Sequence, residues 1–292
     1  MCIIVAKYFP GIGWAGAKNR DRKYIPTLDF IESEKHGTGR MMMHDLVTGY
    51  KEGINSHGVS ILNTSLDVLE DEPGVESGKV KSSPDGAIIA NALMFPTALQ
   101  AARYVIKKKL VGCTMVFDQE NMYLIEASDQ DGSKPYKFKA KKIPKTQTVC
   151  RTNHGIWLPW ASFQRKKGDK QQTLDRISSE ARFLQAQHVV ENAQKPRDLV
   201  DGLCQVNTTH PQLNIMRMST GKDEFRTTSQ QLCVPRQRTL YCRPVSSHLK
   251  FDFWSLNKPK PNVWVEILSN RALWQRGKKD IPFKDMNLRD VK

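Results

Sequence analysis

The first five residues after the initiator, Cys2-Ile3-Ile4-Val5-Ala6, are apolar and largely β-branched, and the run stops before Pro10-Gly11. Branched side chains crowd a helix but suit a pleated surface, and a Pro-Gly pair marks a turn. A second apolar stretch, Gly13-Trp14-Ala15-Gly16-Ala17, leads into Lys18-Asn19-Arg20-Asp21. Two such runs around a short turn predict an antiparallel hairpin. That hairpin returns Asp21 and its neighbours to the side of Cys2. The chain must then fold around a sheet whose first strand begins with a thiol and whose second ends in charge.

The rest of the chain gives mixed elements. Residues 53–66 read as a turn feeding a strand, and 67–86 as a polar loop without periodicity. A helix is expected over 96–110 with Thr97 as N-cap, and a hairpin over 113–118 and 121–127. Residues 134–149 alternate Tyr136, Phe138 and Ile143 with lysines, as an exposed strand pair would. Helices are expected over 173–193 and 196–205, then strands at 231–234 and 239–242. Strands, helices and strands again, without regular βαβ alternation, predict an α+β layered fold.

Composition narrows the function classes. Hydrophobic residues are 39% and charged residues 26% of 292, which suits a packed core and argues against wholesale disorder. No apolar run approaches the ~18 residues of a membrane span. Lys7 interrupts the opening run too early for a secretory signal. A soluble cytoplasmic protein is expected. The six cysteines include no Cys-x-x-Cys pair, so neither a zinc site nor a disulfide framework is indicated. No metal and no cofactor is expected. Gly-x-Ser-x-Gly, phosphate-loop and His-Glu-x-x-His motifs are all absent from the sequence.

Position gives Cys2 a chemistry that the other cysteines lack. Small residues at position 2 generally permit removal of Met1, which leaves Cys2 with a thiol and a free α-amine of pKa ~7.7–8.0. A nucleophile and a general base then sit on one residue. A nearby carboxylate such as Asp21 can orient the amine, and Lys18 or Arg20 can favour the thiolate. Arg20, next to Asp21, should point to the opposite face of an extended segment and ranks below Lys18.

Met1-Cys2-Ile3-Ile4 with Lys18-Asn19-Arg20-Asp21 resembles the N-terminal-nucleophile (Ntn) hydrolases that use cysteine. These are the choloylglycine hydrolases, penicillin V acylases and isopenicillin N acyltransferases. The likeness continues through Gly53-Ile54-Asn55-Ser56-His57-Gly58-Val59, Asn63, Met122-Tyr123-Leu124-Ile125-Glu126 and Thr152-Asn153-His154. It extends to Ser178-Ser179-Glu180-Ala181-Arg182-Phe183. A rival in the same superfamily is the Asn-Arg-Asp-Glu group related to transport-and-Golgi-organisation proteins. Asn153 with Pro159-Trp160 echoes that group, but Arg22 stands where it has glutamate.

The resemblance implies a four-layer αββα sandwich and an amidase acting on linear amide C–N bonds through Cys2 and a thioester. It implies Asp21, Lys18 and Arg182 around the nucleophile, and an oxyanion hole from the Asn153 side chain and the Asn63 backbone N–H. The expected partner is a small acyl amide, with an anionic one suited to the cationic surround. Transfer to an acceptor amine is the alternative outcome, and a homo-oligomer is a state common among relatives. The catalytic domain is expected over 1–257, with a basic Lys-, Pro- and Trp-containing extension over 258–292.

Lys and Arg total 45 against 30 Asp and Glu, a net charge of +15. A basic nucleic-acid-binding protein is therefore the competing class, carried by Lys107-Lys108-Lys109, the run 165–170 and the tail with Trp264 and Trp274. The runs are scattered and form no named module.

Overall fold

In a computed structural model, residues 1–24, 26–35, 37–66, 84–129, 136–162, 170–206, 210–218, 225–245, 250–251, 265–267 and 284–285 are described. The opening hairpin forms as β1 (Cys2–Phe9) and β2 (Gly13–Arg22). Its register runs from Cys2 opposite Arg20 to Phe9 opposite Gly13. The connecting turn needs glycine: Gly13 has φ +97°, and a Cβ there would lie 2.4 Å from the Gln119 carbonyl oxygen.

The chain then makes β3 (Thr27–Lys35), β4 (Thr38–Asp45), β5 (Lys51–Asn55) and β6 (Ser60–Thr64). Two helices follow, α1 (Pro84–Ala92) and α2 (Ala98–Lys107). Next come β7 (Gly112–Phe117), β8 (Met122–Ser128), β9 (Lys137–Ile143) and β10 (Val149–Arg151). After α3 (Lys170–Asn192) and α4 (Pro196–Gly202) come β11 (Arg226–Val234) and β12 (Thr239–Pro244). Three short strands end the described chain: β13 (Lys250–Phe251), β14 (Val265–Ile267) and β15 (Lys284–Asp285).

Two sheets result, ordered β10-β1-β2-β11-β12-β14-β15 and β13-β3-β4-β5-β6-β7-β8-β9. All pairings are antiparallel except β13 with β3. Alternation along each strand separates three apolar layers. Ile4, Ala6, Trp14, Met41, Met43, Leu62 and Phe117 fill the space between the sheets. Ile3, Val5, Ala17 and Leu232 face the other way, onto Val190 of α3 and Leu199 of α4. Ile61, Val116 and Ile125 pack against Ile89 of α1 and Val105 of α2. The order is helices, sheet, sheet, helices: the expected αββα sandwich. Each fully buried Ile, Leu or Phe contributes ~1.5–3 kcal/mol. Among the described residues no helix is long and apolar enough to cross a membrane.

Two expectations are corrected, and one stretch with no expected element acquires two strands. Residues 22–50 contain β3 and β4, paired from Leu28–Asp45 to Lys35–Thr38. The supposed strand pair within 134–149 is no pair: β9 edges the second sheet and β10 edges the first. The end of the polar stretch 67–86 opens α1, whose Gly86, Ile89 and Ala92 are buried. The helix with Thr97 as N-cap forms as expected, with the Gln100 N–H donating to Thr97 Oγ1. Of the extension over 258–292, only β14 and β15 lie among the described residues, and they continue the first sheet beyond β12. The rest of the tail, its tryptophans, 67–83 and the basic run 165–169 lie outside the described residues.

Candidate active site

The register of the first hairpin sets the site. Residues directly opposite in an antiparallel pair share a face, so Cys2, Arg20 and Lys18 all point between the sheets, whereas Asp21 points to the helices. Two differently constituted surroundings therefore meet at the start of β1.

On the inter-sheet face, Lys18 Nζ is paired with Glu52 of β5 and donates to the Asn63 carbonyl oxygen (2.6 Å). Arg20 bridges Glu52 (3.1 Å) and Asp45 of β4 (3.0 Å). Tyr50 lies under both cations, its ring centroid 5.3 Å from Lys18 Nζ and 5.1 Å from Arg20 Cζ. Lys18, Arg20, Glu52 and Asp45 are fully buried. Desolvating such charges is tolerable only because each is paired. Burial pulls the Lys18 ammonium below its ordinary value, with Glu52 opposing.

Arg22 completes this face. Its Nη1 lies 3.5 Å from Cys2 Sγ, and its Nε lies 3.7 Å from Asp45. Burial pushes the Cys2 thiol up, but Lys18, Arg22 and the N-terminal ammonium outweigh it and bring it from 9.0 down to about 7. Every other fully buried cysteine goes the opposite way. Cys150 and Cys242 are pushed up to about 12, and Cys113 and Cys233 are also raised, all chiefly by burial. A thiol with its pKa brought near neutrality is suited to nucleophilic attack, whereas a buried thiol with a raised pKa is suited to packing.

On the helix face, Asp21 is ion-paired with Arg182 of α3, and Thr227 of β11 donates to its other oxygen (2.8 Å). Arg182 also donates to the Asn214 carbonyl oxygen (3.1 Å). The strands and helix that carry Asp21, Arg182 and Thr227 converge on the N-terminus. The Met1 ammonium donates to the Asp21 carbonyl oxygen (3.3 Å), and burial lowers it from 8.0 to about 5. Met1 and Cys2 are only 5% and 4% exposed.

Asn153 follows β10 and touches residue 2 directly: its Oδ1 accepts the Cys2 backbone N–H (2.8 Å). Its Nδ2 donates to Thr64 Oγ1 (3.0 Å) and the Ser65 carbonyl oxygen (2.6 Å). Ser179 Oγ of α3 accepts the Asn153 N–H (3.0 Å), fixing the loop. Asn63 is brought to Lys18 by its main chain only, because its side chain donates to Thr114 Oγ1 (2.7 Å) and the Val111 carbonyl oxygen (3.1 Å). His154 supports the loop, its Nδ1 3.0 Å from both Thr152 Oγ1 and Ser179 Oγ. Glu126 does likewise, accepting the N–H groups of Trp157 and Leu158.

The sequence reading missed Arg22, Glu52, Asp45, Thr227 and Arg217. Arg22 had a signal, since it continues the alternation Lys18, Arg20, Arg22 on one strand face. Glu52 and Asp45 had none, because their contact with β2 is set by sheet stacking. Among the described residues no three His, Cys, Asp or Glu side chains could hold a metal ion.

No protein-family model matches the sequence, and comparison with curated proteins finds no match. Solved structures do match. A penicillin V acylase from Agrobacterium tumefaciens superposes with a TM-score of 0.51 at 13% identity, covering 91% of each chain. Two variants of conjugated bile acid hydrolase from Clostridium perfringens give TM-scores of 0.53 and 0.55 at 10% and 11% identity. Both superpositions cover 98% of this chain and 97% of theirs. At such identities the likeness carries the fold alone. The chain has the αββα fold of the Ntn hydrolases, as its N-terminal motifs led one to expect, in common with a penicillin V acylase and a conjugated bile acid hydrolase.

Proposed function

We propose that the chain is an amidase that cleaves a linear acyl amide through Cys2, exposed as the N-terminal residue by removal of Met1. The observation that carries this reading is the cationic setting of one buried thiol among five, with Arg22 Nη1 3.5 Å from Cys2 Sγ and the thiol pKa lowered, at the residue whose backbone nitrogen becomes the amine. Cys2 Sγ adds to the amide carbonyl carbon, and the α-amine takes the thiol proton and delivers it to the leaving nitrogen as the C–N bond breaks. Water then attacks the thioester, the C–S bond breaks, and a carboxylic acid and free thiol result.

Lys18 and Arg22 hold the thiolate. Asp21, positioned by Arg182, orients the amine end. Arg20 acts at one remove, by fixing Glu52 and Asp45. The oxyanion falls to Asn153 Nδ2 and the Asn63 main-chain N–H. Asn153 must exchange one present bond, and Thr64 Oγ1, a freely rotating hydroxyl, is the easier to release. Losing such a donor costs ~10²–10³ in rate. The cationic surround suits a substrate bearing negative charge. Transfer to an amine shares the thioester, and the ratio of acid to new amide formed with added glycine separates the two outcomes.

The test is N-terminal sequencing and intact mass of active protein, with iodoacetamide labelling at pH 7. Cys2 is expected as the first residue and the dominant labelled site, and Cys2→Ala is expected to lose ~10³-fold or more in hydrolysis of a fluorogenic acyl amide. Active protein retaining Met1 removes the amine base. Unchanged hydrolysis by Cys2→Ala removes the nucleophile.

A further inference from the structure

We propose that Arg217 forms an anion subsite beside the nucleophile, filled by Met1 until that residue is removed, and that substrates carry a carboxylate which this guanidinium receives. The proposal deepens the amidase reading and rests on it for the identity of the reaction.

Arg217 is fully buried, yet its guanidinium is poorly satisfied. Nη2 donates to Ser178 Oγ and the Gln212 carbonyl oxygen (3.2 Å), and its third contact is Met1 Sδ at 3.9 Å. A thioether is a weak acceptor. Among the described residues Nε and Nη1, on either side of Nη2, have no hydrogen-bond partner. Most buried polar side-chain atoms have a partner; other arginines here lack one for a single nitrogen, and Arg217 lacks one for two among the described residues.

The charges nearby leave the same gap. Asp21 and Asp175 are the carboxylates that act on Arg217, and the two oxygens of Asp21 are taken by Arg182 and Thr227. Of the two guanidiniums beside Asp21, only Arg182 is paired with it. Burial, with Arg182 adding to it, lowers Arg217 from 12.5 to about 9, which still leaves it a cation at neutral pH.

Geometry ties the cation to the reaction. The side chain touching Nη2 belongs to the residue that must leave before Cys2 can act. Its departure opens space against Nη2, and an anion entering there meets a free N–H on either flank. The plane is already held: Phe225 lies with its ring centroid 5.5 Å from Arg217 Cζ, and Thr227 Oγ1 accepts the Arg217 backbone N–H (2.9 Å). Guanidinium with carboxylate is the strong, charge-assisted pairing for such a fork.

The carboxylate can belong to the acyl or the amine half of the substrate, and the assay separates them. Mature protein is given two matched pairs: hexanoylglycine with hexanoylglycinamide, and glutaryl-4-nitroanilide with pentanoyl-4-nitroanilide. The charged member of one pair is expected to be preferred at least about tenfold in kcat/KM, and which pair responds gives the side. Arg217→Met should reduce that ratio at least about tenfold, and Arg217→Lys should retain part of it. An unchanged ratio in Arg217→Met overturns the proposal.

Wild-type protein supplies a test independent of any variant's folding and of turnover. Glutarate should slow alkylation of Cys2 by iodoacetamide at a concentration at least about tenfold below that needed with glutaramide. Protection without cleavage of any amide leaves the anion subsite standing and sinks the amidase reading. Cleavage without charge preference, and with no protection by glutarate, does the reverse.

Discussion

Cys2 shows how far neighbours can move a buried thiol. Desolvation alone would place it with Cys150 and Cys242, but two cations and an ammonium reverse the sign. With a pKa of about 7, the rate of iodoacetamide alkylation should climb through neutrality and level off above pH 8. Removing a cation disfavours the thiolate, so Arg22→Gln should shift that curve to higher pH and slow labelling at pH 7 roughly tenfold. A curve that does not move means Arg22 is not what holds the thiol down. Arg22 is partly exposed, so this variant should fold. Asp21→Asn is a different case. It leaves the fully buried Arg182 without its counter-charge, at a cost of about 3–5 kcal/mol. The expected outcome is a melting temperature lower by roughly 10 °C, measured by circular dichroism. A shift of only a degree or two would mean that water or another acceptor satisfies Arg182.

Elements aim the site, and two substitutions test how. Gly53 of β5 lies against β4, where a Cβ would sit 2.0 Å from the Met41 carbonyl oxygen and 2.8 Å from Met42 Cα. Backbone cannot yield as a side-chain tip does, so Gly53→Ala must force the two strands apart, at about 1–3 kcal/mol. It should also displace Glu52, the shared partner of Lys18 and Arg20, so the prediction is a joint loss of stability and of thiol reactivity at pH 7. Intact reactivity would show that Glu52 does not depend on that register. By contrast Thr97→Ala removes only a helix cap far from Cys2 and should cost about 1 kcal/mol in urea unfolding with reactivity unchanged. The same distinction explains what the sequence could tell. The β1–β2 hairpin, the cap at Thr97, the β7–β8 hairpin and the helix around Arg182 were legible because each is a local pattern. Strands β3 and β4 were not, because Thr27–Lys35 mixes charge with apolar residues and its turn carries no Pro-Gly or Asn-Gly signal. Nor could local spacing say that β9 and β10 part to different sheets, or that Asp45 and Glu52 would arrive beneath β2.

For the molecule as a whole, acidification pulls stability in opposite directions. Burial holds His154 below its usual 6.5, so the unfolded chain takes up that proton first and stability falls as pH drops through 6.5. Burial opposes ionisation of Asp45, but Arg20 and Arg22 prevail and hold it below 3.8; its contribution persists until the pH falls through that lowered value. Asp85 behaves inversely. Burial, with Asp129 adding to it, pushes it up to about 6 from 3.8, so the folded chain binds the proton first and gains stability as pH falls between those values. Asp85→Asn should therefore stabilise the protein at pH 7.5, by up to roughly 3 kcal/mol at 1.36 kcal/mol per pKa unit. The gain should shrink towards zero below pH 4. An equal gain at both pH values in urea titrations would mean that the carboxylate's charge is not the cause. The alternation along β2 has a last consequence at this scale. It divides the surroundings of one residue without isolating them: Lys18 and Arg22 act on the thiol from the inter-sheet side, Asp21, held by Arg182 and Thr227, acts from the helix side, and the N-terminal nitrogen feels both. Sequence drift in α3 that disturbs Asp21 therefore reaches the thiol too, so α3 and the strands β4 and β5 have to change in step.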